Sequence, residues 1–205
     1  MADIQKRTLI AGAAAAISGM ATMIAKPAGA APEPRAQLRR THFPNVPLVT
    51  QSGRQVRFYD DILKNRKVVI NLMYTVCSNI CTPVTRNLLE ARRLLGAFAN
   101  DIDFCSITLT PLDDDPAALR AYMKAYGIEG RWTFLTGEPG NIELVRRGLG
   151  FTSTRAAEDA DLSNHSGMLR IGNERMASWG HASGLTNARA IARMIRFELF
   201  EPLSS

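Results

Sequence analysis

The stretch from Lys67 to Cys81, KVVINLMYTVCSNIC, determines the expected fold. Its first seven residues form a near-continuous apolar run, which is typical of a parallel strand that is buried on both faces. The run leads directly to two cysteines, Cys77 and Cys81, and apolar residues at helical spacing follow them. We therefore expect a buried strand, a cysteine pair and an amphipathic helix in succession, which is a junction typical of α/β folds.

Strand and helix patterns alternate over the rest of the chain. A hairpin that turns at Gly53 is predicted first, and a second hairpin has strands 168–171 and 176–179 around a turn at 172–174. Two further strands are predicted at 104–109 and 132–135. Helices are predicted with an apolar face at Leu88, Ala91, Leu95 and Phe98, and at 116–126, 139–147 and 188–200. This alternation predicts an α/β fold: a single thioredoxin-like domain whose mixed central sheet is flanked by helices, with an extra N-terminal β-hairpin.

The composition agrees with one folded domain. The chain has 205 residues, of which 46% are hydrophobic and 21% charged, so it is long and apolar enough to bury a core and is not intrinsically disordered. Three cysteines are too few for a disulfide-framework miniprotein.

The N-terminus has the layout of a secretory signal. Lys6 and Arg7 precede an apolar stretch, and Ala28 and Ala30 supply the small residues before a cut at Ala31. We expect residues 1–30 to be a signal peptide that directs the protein to the periplasm. An uncleaved membrane anchor is the alternative, because the stretch has about the length of a membrane span. Residues 31–42 then form a linker, and residues 43–203 form the folded domain.

The positive charge does not predict nucleic-acid binding. The formal net charge of +6 falls to +4 once residues 1–30 are removed. The remaining arginines are spread along helices instead of being gathered with aromatic residues into a groove. We therefore expect no nucleic-acid partner.

Cys77 and Cys81 are the strongest candidates for chemistry. A strand-to-helix junction places thiols near a helix N-terminus, where the helix dipole and free N–H groups favour the thiolate. Their spacing of three intervening residues can bring both sulfurs to one side of a helical turn. The residues alone leave three interpretations open: a metal site, a thiol-disulfide redox pair and an inert structural disulfide.

His165 is the candidate third ligand. It lies just before the strand that starts at Met168, and in a thioredoxin-like sheet the loop entering that strand lies beside the cysteine junction. Two thiolates and one imidazole form a soft ligand set that suits Cu(I), and Cu(II) if a fourth ligand is added. His42 and His181 are expected at the surface.

Two further features are given structural interpretations. Cys105 lies within an apolar strand and is expected in the core. The acidic run Asp113–Asp115 is expected to be a solvated loop that caps the next helix.

Several motifs together resemble the Sco/SenC family of copper-binding thioredoxin-fold proteins. They are Phe43–Leu48, Arg57–Asp61, the Val68–Cys81 segment with its C-x-x-x-C, Trp132–Gly137 and Asn164–Ser166. The resemblance implies that Cys77, Cys81 and His165 bind one copper ion, as Cu(I) or Cu(II). It also implies a role in assembling the binuclear copper centre of cytochrome c oxidase, with subunit II or another cuproprotein as the partner.

The chain departs from the family pattern at three positions. The family usually has proline after each cysteine, whereas Ser78 and Thr82 stand here. The first acidic residue of a downstream Asp-Pro pair is replaced by Thr110. A serine in place of proline restores a backbone N–H near the sulfur and so alters the expected thiol chemistry.

The sequence thus favours an exported copper metallochaperone over an enzyme. The alternative is a metal-independent thiol-disulfide oxidoreductase that uses Cys77 and Cys81 together with a thiol reductant. A third interpretation makes the pair a permanent disulfide in an interaction module. A peroxidase is disfavoured, because the Thr-x-x-Cys spacing of peroxiredoxins is absent.

Overall fold

A seven-stranded mixed sheet lies at the centre of the part of the chain that this computed structural model describes, residues 42–77, 79–152 and 167–200. All of these residues belong to one unit, Glu33–Ser205. The predicted signal peptide, nearly all of the predicted linker, Ser78 and His165 lie outside the described residues. The predicted domain boundaries therefore stay predictions.

The strands follow the order β2-β1-β5-β4-β3-β6-β7 across the sheet. Their bounds are β1 Pro47–Thr50, β2 Gln55–Arg57, β3 Lys67–Met73, β4 Asp103–Thr108, β5 Trp132–Thr136, β6 Met168–Asn173 and β7 Ser178–Ser183. β3, β4 and β5 run parallel, whereas β6 pairs antiparallel with β3, and β1 pairs antiparallel with β5. This arrangement confirms the predicted mixed sheet with its extra N-terminal hairpin, β1–β2.

Helices cover both faces of the sheet. They are α1 Cys81–Leu95, α2 Pro116–Tyr126, α3 Pro139–Gly148 and α4 Ala188–Phe200. One apolar cluster contains the inner residues of α1, α2 and α4, and a second contains those of α3 and of a short π-helical turn, Phe58–Leu63. Within the described residues, no helix has the length and apolar character needed to cross a membrane.

Local sequence explains where the helices begin and end. The side chain of Asp115 accepts a hydrogen bond from the N–H of Ala118 at 2.8 Å, and Pro116 occupies the first position of α2. α1 ends one residue before Gly96, whose φ is 56°. The predicted helical register therefore fails at Phe98, which lies in a 3-10 turn and is 40% exposed.

The turn between β6 and β7 lies further along the chain than predicted. The predicted turn at 172–174 is wrong: Gly172 and Asn173 are strand residues, and the turn is formed at Glu174–Met176 and Ala177, which has a φ of 54°. Gly172 is paired with Trp179, and a Cβ on this glycine would lie 2.2 Å from Cε3 of the indole. Glycine therefore serves close packing here instead of reversing the chain.

A buried carboxylate holds the start of the same turn. Glu174 is 2% exposed and accepts hydrogen bonds from the hydroxyl of Tyr59 at 2.9 Å and from the N–H of Asn65 at 2.7 Å. These partners lie more than 100 residues earlier in the chain, so no local pattern could have indicated them.

Candidate metal centre

The loop after β3 presents the first cysteine. Leu109 donates its N–H to the carbonyl of Met73 at 2.8 Å, which ties the end of β3 to the residue after β4. The N–H of Cys77 then donates to the carbonyl of Tyr74 at 3.2 Å. The chain thus closes a tight turn between the buried strand and the start of α1, and Cys77 lies at the end of that turn.

Cys77 and Cys81 lie together, as the sequence predicts. Both are buried, with exposed fractions of 6% and 1%, and neither is in a disulfide. Cys81 is the first residue of α1, and its N–H donates to Sγ of Cys77 at 3.2 Å. The N-cap residue Ile80 has no polar side-chain atom, so the sulfur takes the role of a cap for an N–H that lacks a helical partner.

The two thiols differ in acidity. Burial alone raises the pKa of Cys77, but hydrogen bonds from the side chain and N–H of Cys81 and from Tyr74 and Ile80 outweigh it, and the pKa of Cys77 is lowered overall. The pKa of Cys81 is raised, first because it is buried and second because of its hydrogen bond with Cys77. Cys77 is therefore the thiol that ionises first.

The sulfurs belong to the hydrophobic core. Cys77 and Cys81 lie in one cluster of buried side chains with Met73, Val84 and Leu88. Apolar surroundings limit the access of water to the thiols. Two soft sulfur donors in such surroundings fit a soft cation such as Cu(I).

Asp114 is buried under the thiol loop, which corrects the prediction of a solvated acidic run. It is 1% exposed, and its carboxylate accepts hydrogen bonds from the N–H and hydroxyl of Thr75, from the hydroxyl of Thr108 at 2.5 Å and from the hydroxyl of Thr110 at 3.1 Å. Its neighbours Asp113 and Asp115 are exposed. The sequence pattern missed this residue because one of its partners, Thr75, lies 39 residues earlier at the end of another strand.

Two residues that differ from the family pattern, Thr82 and Thr110, form hydrogen bonds in the structure. The hydroxyl of Thr82 lies 2.7 Å from the hydroxyl of Tyr126, which connects the first turn of α1 to the end of α2. The hydroxyl of Thr110 donates to Asp114. Each contact is made by a threonine hydroxyl, which a proline at position 82 or an aspartate at position 110 would lack.

The start of β6 lies beside the cysteine junction. β6 pairs antiparallel with β3, with Leu169 opposite Asn71, so β6 begins at the edge of the sheet where β3 ends. A Cβ on Gly167 would lie 3.1 Å from side-chain carbons of both Ile80 and Val84. The chain therefore enters β6 beside the first turn of α1, two residues after His165, which itself lies outside the described residues.

The other candidate residues have the predicted structural positions. His42 and His181 are exposed, and His181 Nδ1 lies 2.9 Å from Arg170 Nη1. Partial desolvation of the ring and, second, the charge of Arg170 lower the pKa of His181. Cys105 is 1% exposed within β4. Among the described residues, no group of three or more His, Cys, Asp or Glu side chains is arranged to hold a metal ion.

The fold and the thiol pair define a thioredoxin-like protein with two cysteines at its first strand-to-helix junction. A sequence model of the SCO1/SenC family matches residues 31–199. The chain therefore belongs to the SCO1/SenC family, which confirms the resemblance found in its motifs.

Individual relatives agree with this assignment. A SCO1 protein homolog of Bacillus subtilis (strain 168) is 28% identical over 88 residues, which are 42% of this chain and only 45% of that relative. ScoI of Bradyrhizobium japonicum, solved with copper bound, superposes with a TM-score of 0.59 at 20% identity, over 76% of this chain and 99% of that one. BsSco, a member of the Sco family of cytochrome c oxidase assembly proteins in which a disulfide switch was identified, superposes with a TM-score of 0.59 at 20% identity, over 75% and 92% of the two chains.

Proposed function

We propose that this protein is an exported copper metallochaperone that binds one copper ion and assists assembly of the binuclear copper centre of cytochrome c oxidase. The observation that carries the proposal is the pair of buried thiols at the N-terminus of α1, which form no disulfide and are joined by the hydrogen bond from Cys81 N–H to Cys77 Sγ at 3.2 Å. Copper is the cargo here, and the thiols supply its soft donors.

His165 completes the proposed ligand set. Two thiolates alone leave a copper ion open to further ligands, and an imidazole is a good donor to both Cu(I) and Cu(II). Support comes from Gly167, which lies against Ile80, the N-cap residue of α1, and against Val84 in the first turn of that helix. His165 precedes Gly167 by two residues, and we therefore assign it as the third ligand.

The relatives and the N-terminus support the proposed cargo, partner and location. ScoI of Bradyrhizobium japonicum binds copper, and BsSco belongs to a family of cytochrome c oxidase assembly proteins. The secretory layout of residues 1–30 directs the protein to the periplasm, or anchors it to the membrane if the signal is retained. We assign cytochrome c oxidase subunit II, or another cuproprotein, as the receiving partner.

A competitive Cu(I) titration tests the ligand set. The reduced protein without residues 1–30 should bind one Cu(I), and Cys77→Ser and Cys81→Ser should each lower the affinity by more than the roughly 10–100-fold that loss of an outer-shell partner costs. His165→Ala should lower it at least about tenfold. His181→Ala is the matched control, because His181 is an exposed histidine, and it should leave the affinity unchanged. Equal affinities of His165→Ala and the wild type would refute the three-ligand site.

Transfer to a partner needs its own experiment. The copper-loaded protein should pass its ion to the metal-free copper domain of cytochrome c oxidase subunit II, and the spectrum of that domain reports the transfer. If copper stays on the chaperone while a small chelator of similar affinity removes it, the assigned partner is wrong.

The acidity difference between the thiols favours a second candidate, a thiol-disulfide oxidoreductase. The Cys77 thiolate would attack a substrate disulfide and form a mixed disulfide. The Cys81 thiol would then attack Cys77, forming the Cys77–Cys81 bond and releasing the substrate as a dithiol, and a thiol reductant would restore the pair. Disulfide reduction that is abolished in Cys77→Ser, by a protein that retains no copper on purification, would establish this function.

A further inference from the structure

Val76 in the middle of the turn that carries Cys77 contributes little packing, whereas Cys77 itself lies in the buried cluster. Val76, the residue immediately before Cys77, is 82% exposed. The turn is closed by the hydrogen bond from Cys77 N–H to Tyr74. Thr75 ties the turn to a buried group of another segment, the carboxylate of Asp114.

Asp114 is well suited to hold this turn. Its carboxylate lies in the protein interior and accepts hydrogen bonds from the N–H of Thr75, at 3.1 Å, and from the hydroxyl of Thr75. The hydroxyls of Thr108 and Thr110 also donate to this carboxylate, at 2.5 and 3.1 Å. A buried carboxylate is tolerated only when donors of this kind surround it, and hydrogen bonds to a charged group are stronger than neutral ones.

We propose that Asp114 is a positioning residue for the thiol site, which acts through Thr75 to hold Cys77 opposite Cys81. The proposal rests on the proposed copper-binding function and adds a residue outside the ligand set. Asp114 does not bind the cargo, because its oxygens are occupied by threonine donors. Its effect is to fix one sulfur relative to the other before the ion arrives, which is how outer-shell groups raise metal affinity.

Two threonine variants separate positioning from simple stabilisation. Thr75→Val and Thr108→Val each remove one hydroxyl that donates to Asp114, and both keep the shape of the side chain. Only Thr75 lies in the turn that carries Cys77. We expect Cu(I) affinity to fall about tenfold in Thr75→Val and about 10–100-fold in Asp114→Ala. Thr108→Val and the exposed-residue control Asp113→Asn should stay within about twofold of the wild type.

A measurement without metal tests the role of Asp114 independently of copper binding. The equilibrium with glutathione disulfide forms the Cys77–Cys81 bond and breaks the glutathione disulfide bond, and the two electrons and two protons leave on two glutathione thiols. Its constant depends on how closely the two sulfurs are held, so Thr75→Val and Asp114→Ala should shift it at least about fivefold, and Thr108→Val should not.

The outcomes distinguish this inference from the proposed function. If the wild type binds Cu(I) and Thr75→Val binds it as tightly as Thr108→Val does, Asp114 does not position the thiols. Equal weakening in both threonine variants means that the carboxylate only stabilises the fold, which also overturns the inference. If the wild type binds no Cu(I), the proposed function fails, and the glutathione equilibrium alone decides the role of Asp114. Should Asp114→Ala not fold, the comparison of Thr75→Val with Thr108→Val decides that role.

Discussion

Replacing Gly172 by alanine should destabilise the protein, because the indole of Trp179 occupies the space that a Cβ would need. The added carbon would lie 2.2 Å from Cε3 and 2.3 Å from Cζ3 of that ring. The ring cannot easily move away, since Phe43 packs against it with ring centroids 4.6 Å apart and the guanidinium of Arg170 lies 5.6 Å from its centroid.

The size of the effect follows from this overlap. Inserting a carbon into a packed site costs about 1–3 kcal/mol. For a domain of this size, 1 kcal/mol changes the melting temperature by about 2–4 °C. Gly172→Ala should therefore lower the melting temperature by about 2–12 °C.

Gly140→Ala is the matched control, because it makes the same chemical change in open space. Gly140 lies in the first turn of α3 with no atom within 4 Å of an ideal Cβ. Alanine there should raise stability by about 0.4–1 kcal/mol, since it restricts the unfolded chain. Thermal unfolding followed by circular dichroism measures both variants. A Gly172→Ala protein that melts within about 1 °C of the wild type would refute the packing argument and the strand assignment of Gly172.

Three further outcomes are expected. Asp115→Ala removes the cap of α2 and should lower the free energy of unfolding by about 1 kcal/mol in urea, whereas the exposed Asp113→Ala should change it by less than about 0.5 kcal/mol. Iodoacetamide at neutral pH should modify Cys77 before Cys81, because only the thiolate reacts and the pKa of Cys77 is lowered. Raising the pH should then increase the modification of Cys81. Peptide mass spectrometry measures both, and Cys81 modified first would contradict the acidity difference. Cys105→Ala should cost about 1 kcal/mol through the cavity it leaves, with copper stoichiometry unchanged in the titration.

Elements with a local signal are the ones that the sequence predicts well. The strand predicted from the apolar run at Lys67–Met73 has the same bounds in the structure, because the near-continuous apolar character lasts until the cysteine turn. The start of α2 is equally well predicted, since Asp115 and Pro116 supply a cap and a fixed φ next to each other. In both cases the determining residues are adjacent in the chain.

The missed features depend on distant partners. Gly172 and Asn173 have the composition of a turn, but Trp179 packing over the glycine and Glu174 bonded to Tyr59 move the reversal further along the chain. Long-range packing overrides turn propensity here.

The candidate site shows the same division. The cysteine pair and its place at the start of α1 follow from the spacing of Cys77 and Cys81 after a buried strand. The burial of Asp114 does not, because it requires Thr75 and Thr108 to converge from two different strand ends. A buried carboxylate and an exposed one look alike in a sequence when one of the donors, here Thr75, lies 39 residues away.

Cys77 and Cys81 lie within the apolar cluster beneath α1 and α4, so a metal ion that they bind is coupled to the unfolding equilibrium of the protein. A ligand that binds the folded state alone, at about 100 times its dissociation constant, adds about 2.7 kcal/mol to the stability. For a chain of this size that corresponds to a melting temperature raised by about 5–11 °C. A thermal-shift series across candidate cations can therefore rank what these two sulfurs prefer, and a partner that removes the ion will be detected as a protein that melts earlier.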